Sequence, residues 1–209
     1  MYHTFLFDLD NTIYPESSGI MNAIRDRIIF YMKNRLGFDD EFSLSFRQYC
    51  LKHYGTTLKG LKEIYGIDED EFLAYVHDIR LSEFIQPDNR IKEMLEKYHQ
   101  KKVIFSNADS NHVKRVLKTL DLEQYFDTVI DVHSIKPYVK PQKESFNTVK
   151  SILKLTNWDG CVFIDDHLPN VQSAAELGIF SILVSENSNK KFPNMIPSIL
   201  NLPYLVPYS

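Results

Sequence analysis

His3-Thr4-Phe5-Leu6-Phe7-Asp8-Leu9-Asp10-Asn11-Thr12 is the stretch that decides the fold. Residues 3–7 form a short apolar and aromatic run, the pattern of a buried strand, and the run stops at two acidic residues. Downstream the same pattern returns at Lys102–Ser106, Thr128–Asp131, Cys161–Asp165 and Phe180–Val184. Helical periodicity fills the gaps: from near Asp88 through Ile91, Met94, Leu95 and Tyr98, then Asn111–Leu120, Gln142–Leu155, and Asn170–Leu177 ended by Gly178. Strands alternating with helices of about a dozen residues call for a parallel sheet covered on both faces, an α/β architecture.

Between the first strand and Pro87 the rhythm is helical only. Ile20, Ile24, Ile28, Met32 and Leu36 repeat every fourth position up to Gly37, a natural helix stop. Asp39 or Asp40 can cap a second helix carrying Phe42, Phe46, Tyr49 and Cys50, and Leu58, Leu61 and Ile64 mark a third that closes at Gly66. Asp68 opens a fourth, with Phe72, Tyr75, Val76 and Ile79 on one face. An all-helical block over 15–86 is therefore expected to interrupt a core made of 1–14 and 87–209. The aromatics of the block fall at helical spacing and are expected in its core. After Ser185 the chain is rich in Asn, Ser and Pro, and only a loop with one helical turn near Pro197–Leu200 is expected there.

Composition narrows the function. The 209 residues hold 24 Lys and Arg against 28 Asp and Glu, a net charge of −4, so no general basic surface awaits nucleic acid or anionic lipid. No apolar run approaches the length of a membrane span, and the acidic N-terminus lacks the form of a signal peptide. The two cysteines, Cys50 and Cys161, cannot make a disulfide framework and fit a reducing cytosol, so a cytoplasmic protein is expected. The seven histidines show no HExxH-type spacing, which argues against zinc.

Three of the strands end in polar residues at their carboxyl ends, where open α/β sheets hold ligands: Asp8-Leu9-Asp10-Asn11-Thr12, Ser106-Asn107-Ala108-Asp109 and Asp165-Asp166. One such pair is ordinary turn chemistry; repetition at the same edge is not. Two carboxylates about 4 Å apart repel by about 4 kcal/mol at an effective dielectric near 20. Gathering Asp8, Asp10, Asp165 and Asp166 therefore calls for a hard divalent cation, Mg²⁺ in the first place, with a phosphate group completing its oxygen ligands. Lys140, the Ser106 hydroxyl and the backbone N–H groups around Asn107 are the donors that phosphoryl oxygens would need.

The chain resembles the haloacid dehalogenase-like hydrolase superfamily, whose four motifs can be followed in order. Asp8-Leu9-Asp10-Asn11-Thr12 is similar to the first, and Ser106 after Val103-Ile104-Phe105 to the second. Lys140-Pro141 with Phe146 is similar to the third, and Asp165-Asp166 followed by Asn170 and Ala174-Ala175-Glu176-Leu177-Gly178 to the fourth. The resemblance implies a Rossmann-like core. Asp8 would be the nucleophile and Asp10 the general acid and base. Ser106 and Lys140 would hold the phosphoryl group. The Asp8 side chain, the Asp10 carbonyl and the Asp166 side chain would ligate the metal, with Asp165 behind them. Dehalogenases of the superfamily lack the acid at position 10, so its presence points to a phosphatase, with a phosphomutase as the lesser reading. One departure and one competing pair matter. Asn170 stands where many relatives carry another acid, and Lys136-Pro137 is a second Lys-Pro pair, disfavoured because the aromatic and the helix follow Lys140 instead.

By the same resemblance the helical block is a cap of the kind that closes over small substrates. Asp10-Asn11-Thr12-Ile13-Tyr14-Pro15, Tyr54-Gly55-Thr56-Thr57-Leu58-Lys59-Gly60-Leu61 and Ser106-Asn107-Ala108 with His112 and Arg115 are similar to the pyrimidine 5′-nucleotidase branch. A small-molecule phosphate ester is thus the expected partner, UMP or CMP first, with phosphoglycolate and sugar phosphates as alternatives. Asn107, Tyr54, Thr56 and Lys59 are the candidate substrate contacts, although the last three are as readily read as a capped helix junction. A non-catalytic phosphate- or partner-binding relative is the alternative from another class. Retention of both acids of the first motif, with Ser106, Lys140 and Asp166, argues against it.

Overall fold

The computed structural model describes residues 2–208. Six strands, β1 (Thr4–Phe7), β2 (Lys101–Phe105), β3 (Thr128–Ile130), β4 (Cys161–Asp165), β5 (Phe180–Val184) and β6 (Met195–Ile196), make one sheet ordered β3-β2-β1-β4-β5-β6. Every pairing is parallel. The expected Rossmann-like α/β fold is what the chain adopts. Phe5, Leu6 and Phe7 of the central strand are wholly buried, and each such side chain contributes about 1.5–3 kcal/mol relative to exposure.

From β1 the chain steps outward through β2 to β3, then returns to build β4, β5 and β6 on the other side. The change of direction falls between β1 and β4, and ligands of open parallel sheets bind at such a point, beyond the carboxyl ends of the strands. Register completes the placement: Phe7 pairs with Ile104 on one side and Ile164 on the other, so Asp8 emerges level with Phe105 and Asp165.

The chain divides into two compact units, Met1–Ser18 with Leu81–Ser209, and Gly19–Arg80. The helical unit consists of α1 (Ile20–Leu36), α2 (Asp40–Tyr54), α3 (Thr57–Tyr65) and α4 (Glu69–Val76). It is shorter at both ends than the 15–86 block, for a local reason. Residues 16–18 form a turn fastened to the sheet unit, where the Ser17 N–H and hydroxyl both donate to Glu186, at 3.0 Å each. Leu81 is likewise buried in that unit. Asp39, Thr56 and Asp68 cap α2, α3 and α4, accepting from the N–H of Phe42, Lys59 and Glu71. Gly37 ends α1 at φ 72°, a left-handed conformation in which glycine has no Cβ to clash.

Two expectations about this unit need correction. Helix α4 stops at Val76, before Ile79, because the N–H of Asp78 bonds back to Tyr75 and closes the last turn. Phe42 and Tyr49 are 44% and 45% exposed rather than core, since α2 buries a narrow stripe of Ser43, Phe46 and Cys50. That stripe lies so close to α3 that a Cβ on Gly60 would stand 2.9 Å from the Cys50 Cβ and nearer still to its sulfur.

The sheet unit carries α5 (Asn89–Glu96), α6 (Ser110–Leu120), α7 (Lys143–Ile152), α8 (Leu168–Glu176) and α9 (Leu202–Leu205). Phe105, Phe146 and Phe163 meet edge to face beneath the carboxyl ends of the strands, with centroids 5.3 Å apart for Phe105–Phe146 and 5.2 Å for Phe146–Phe163. Trp158 and Cys161 pack in the same core. The tail holds more order than its composition indicated: β6 adds a parallel edge, and the Tyr98 hydroxyl donates to the Val206 carbonyl at 2.5 Å. Among the described residues no helix is long and apolar enough to cross a membrane.

Candidate active site

β1, β2 and β4 end side by side, and the sequence places a polar residue just past each apolar run. Asp8 is 7% exposed, Ser106 2%, Asp165 0% and Lys140 2%. Carboxylate oxygens of Asp8, Asp165 and Asp166 all lie within 4.8 Å of one another.

Lys140 arrives from the loop before α7 and lodges its ammonium between two of these acids. Nζ donates to Asp8 Oδ1 at 2.7 Å, to Asp165 Oδ2 at 2.7 Å and to the Phe105 carbonyl at 2.8 Å. The rings of Phe105 and Phe163 lie 5.0 and 5.5 Å away, so aromatic faces complete the pocket for the cation. Burial alone would lower the affinity of Lys140 for its proton, yet the charges and hydrogen bonds of Asp165 and Asp8 outweigh it and hold the ammonium above its ordinary range. Lys136, the competing lysine, is on the surface. With three hydrogens already given to the protein, Lys140 here acts on Asp8 itself rather than reaching outward.

Asp165 stands behind this pair. Its oxygens accept from Lys140 and, at 3.0 Å each, from the Asn170 amide, while the His167 N–H donates to Oδ1 at 2.8 Å. This explains the departure at position 170: an amide donates to Asp165, whereas an ionised carboxylate there would repel it. His167 itself is exposed at the entry to α8, and its backbone is what serves the cluster.

Asn107 differs from expectation. Its carboxamide is clamped to the Lys140 backbone, donating to the carbonyl at 3.0 Å and accepting from the N–H at 2.9 Å. The side chain thereby fixes the loop carrying Lys140 to the end of β2. Ser106 Oγ accepts from the Ala108 N–H at 3.0 Å, which turns the hydroxyl at the head of the loop leading to α6.

Asp10 is held by two residues whose part the sequence did not disclose. His112 Nε2 lies 2.8 Å from Asp10 Oδ1, and the Tyr14 hydroxyl donates to the same oxygen. The turn at Leu9–Ile13, with Asn11 at φ 60°, folds Tyr14 back over Asp10. His112 belongs to the buried stripe His112-Val116-Leu120 of α6, whose cap Asp109 accepts from its N–H. A polar residue on an apolar stripe, in the first turn of a helix leaving the sheet's carboxyl edge, was the available signal. Burial, reinforced by the charge and hydrogen bond of Asp10, pushes the Tyr14 hydroxyl well above its ordinary range, so it remains a donor at neutral pH.

The charge of the cluster can be set against a cation. Burial, reinforced by Asp165, Asp166 and Asp10, raises Asp8 well above the ordinary carboxylate range despite Lys140. Burial and then Asp165 push Asp166 up to about 7. Three carboxylates against one ammonium leave a formal charge of −2 when all are ionised. The buried Asn11 Oδ1 has no hydrogen-bond partner among the described residues, while its amide reaches Asp166 at 3.4 Å. An all-oxygen donor set with a deficit of two charges and a spare carbonyl oxygen beside it suits a small hard divalent cation.

Tyr54, Thr56 and Lys59 lie in the helical unit at the junction of α2 and α3. Thr56 is a helix cap, its hydroxyl oxygen accepting from the Lys59 N–H at 3.1 Å, and Tyr54 and Lys59 are half-buried. His53 is on the helix surface against the Tyr49 ring.

The family model described as haloacid dehalogenase-like hydrolase matches residues 2–178. The chain is 26% identical over 230 aligned positions to Phosphate metabolism protein 8 of Saccharomyces cerevisiae, spanning 97% of this chain and 72% of the yeast protein. Among solved structures, a HAD phosphatase from Thermococcus onnurineus superposes with a TM-score of 0.70 at 20% identity, over 100% of this chain and 99% of that one. The HAD-hydrolase YfnB of Bacillus subtilis, solved bound to magnesium, superposes with a TM-score of 0.66 at 16% identity, over 98% of each chain. At these identities the structural likeness speaks for the fold.

Proposed function

The chain belongs to the haloacid dehalogenase-like hydrolase family, and on that premise we propose that it is a Mg²⁺-dependent phosphomonoesterase that works through an aspartyl-phosphate on Asp8. The observation that carries the proposal is the placement of Asp8: a buried carboxylate anchored by the Lys140 ammonium at 2.7 Å, with Asp10 two residues on and independently held.

In the first step an Asp8 oxygen forms a bond to phosphorus as the ester P–O bond breaks, and the departing oxygen takes a proton from the Asp10 carboxyl. In the second step Asp10, now ionised, takes a proton from water. The resulting hydroxide attacks phosphorus, and the Asp8–phosphoryl bond breaks to release phosphate and restore the carboxylate. Lys140 holds Asp8 in place and offsets its charge throughout, and Asp165 with Asn170 keeps Lys140 there. The Ser106 hydroxyl and the backbone N–H groups after β2 are the proposed donors to the phosphoryl oxygens. The side chains of Asp8 and Asp166 and the Asp10 carbonyl would hold the cation, which would neutralise charge on the phosphoryl oxygens.

A protonated acid at position 10 favours an oxygen leaving group over a halide, which needs no proton. Within the class, a pyrimidine nucleoside 5′-monophosphate is the proposed substrate, with Tyr54, Thr56 and Lys59 as its contacts in the helical unit. Support for this lies in the sequence resemblance. The yeast relative's name, a phosphate metabolism protein, is consistent with the wider class. A cytoplasmic location belongs to the same proposal.

The test is hydrolysis of an aryl phosphate and of a panel of nucleoside monophosphates, with Mg²⁺ and with EDTA. Turnover that needs the metal, fastest on UMP or CMP, is expected. Turnover unaffected by EDTA contradicts the metal requirement. No turnover on any ester with Mg²⁺ would favour a phosphate-binding relative.

A further inference from the structure

Beyond the four motifs, the geometry around Asp10 has a consequence for the proton it handles. A carboxyl two residues past a strand end is otherwise free to rotate about two side-chain bonds, and proton transfer in a transition state requires one oxygen held within about 3 Å of its target. Two side chains here restrict that rotation from different elements. Tyr14 comes from the turn after β1 and His112 from the first turn of α6, and both engage Oδ1. The His112 side chain is completely buried while that of Asp10 keeps 16% of its surface exposed, so Asp10 is held by a dry residue and itself stays in reach of solvent.

We propose that His112 and Tyr14 are positioning residues for Asp10, holding Oδ1 so that the carboxyl stays aimed at the leaving group in the first step and at water in the second. The inference rests on the reading of Asp10 as the general acid and base, and adds what aims it. The two residues do different work. His112 Nε2 meets Oδ1 from the fully buried face of α6, so that contact is shielded from water. The Tyr14 hydroxyl donates to Oδ1 whichever state Asp10 is in. Neither residue touches phosphorus.

The experiment compares kcat/KM, which reports the step that phosphorylates Asp8, for an aryl phosphate and an alkyl phosphate. An aryl oxygen leaves with little help, whereas an alkyl oxygen must be protonated as it departs. His112→Leu and Tyr14→Phe are expected to lower kcat/KM at least about 100-fold for the alkyl ester but less than about 10-fold for the aryl ester, with the aryl KM little changed. His112→Gln, which keeps an N–H donor at the same reach, is expected to restore most of the alkyl activity. A general structural fault would reduce both esters alike, so equal losses, or none, in both His112→Leu and Tyr14→Phe overturn the proposal. Asp10→Asn separates the two levels of the argument. If it discriminates between the esters while the His112 and Tyr14 variants do not, positioning is wrong and Asp10 stands. If Asp10→Asn itself spares the alkyl ester, the acid role fails and the positioning role with it.

Discussion

Lys140 has three ammonium hydrogens, and the fold supplies an acceptor for each: Asp8, Asp165 and the Phe105 carbonyl. Such a completely used, buried cation has an asymmetric energetics. Forming the pair in a dry site gains little over an apolar filling, but removing one partner leaves buried charge uncompensated. Lys140→Met should therefore destabilise the protein by about 3–5 kcal/mol at neutral pH, read as a lowered urea midpoint. Adding Asp8→Asn and Asp165→Asn should recover much of that loss, because the stranded carboxylates are then gone. A Lys140→Met protein as stable as the parent would show that the ammonium is not what balances these acids. The motif letters announced Asp8, Asp10, Ser106, Lys140 and Asp166. They said nothing of who holds Asp10, because His112 and Tyr14 act through a turn and a helix stripe that only folding brings to one oxygen.

At the scale of elements, the strand ends were legible because burial on both faces writes continuous apolar runs, and β4 and β5 fall where those runs do. The edge strand β6 was not, since two residues between prolines carry no periodicity. Helix stops were legible wherever a glycine or a capping acid marked them, whereas the exposure of Phe42 and Tyr49 depended on how little of α2 is covered. One joint between elements makes a pH prediction. Asp131, just after β3, accepts from the Ser110 N–H that opens α6 and from the Ser134 N–H and hydroxyl. Burial pushes its carboxyl up, but those bonds outweigh burial and the net direction is down. A depressed folded-state value stabilises the protein above the ordinary carboxylate range, near 3.9, and the contribution fades as pH falls through the folded value. Asp131→Asn should accordingly lower the urea midpoint at pH 6, and the gap to wild type should narrow toward pH 3. A gap that stays constant, or widens in acid, would contradict the ionised hub.

At the scale of the molecule, strand order decides where chemistry is possible. Because the chain turns back at β1, the ends of β1 and β4 open a crevice, and register sets Asp8 level with Asp165 inside it. Remote stretches of sequence, near positions 8, 106, 140 and 165, thereby share one site. The family's four motifs are the visible trace of that topology, which is why the fold and the meeting of these residues could be read from letters alone. Substrate choice could not, because Tyr54, Thr56 and Lys59 also satisfy ordinary capping and packing needs in the helical unit. The central claim is that a phosphoryl group passes through Asp8. Mass analysis of peptides from acid-quenched turnover tests it most directly, using the Asp10→Asn variant to slow release. A phosphoryl group on the peptide containing Asp8, absent when Asp8→Asn is added, is the predicted result; continued turnover by Asp8→Asn alone, with no phosphopeptide in either protein, would contradict it.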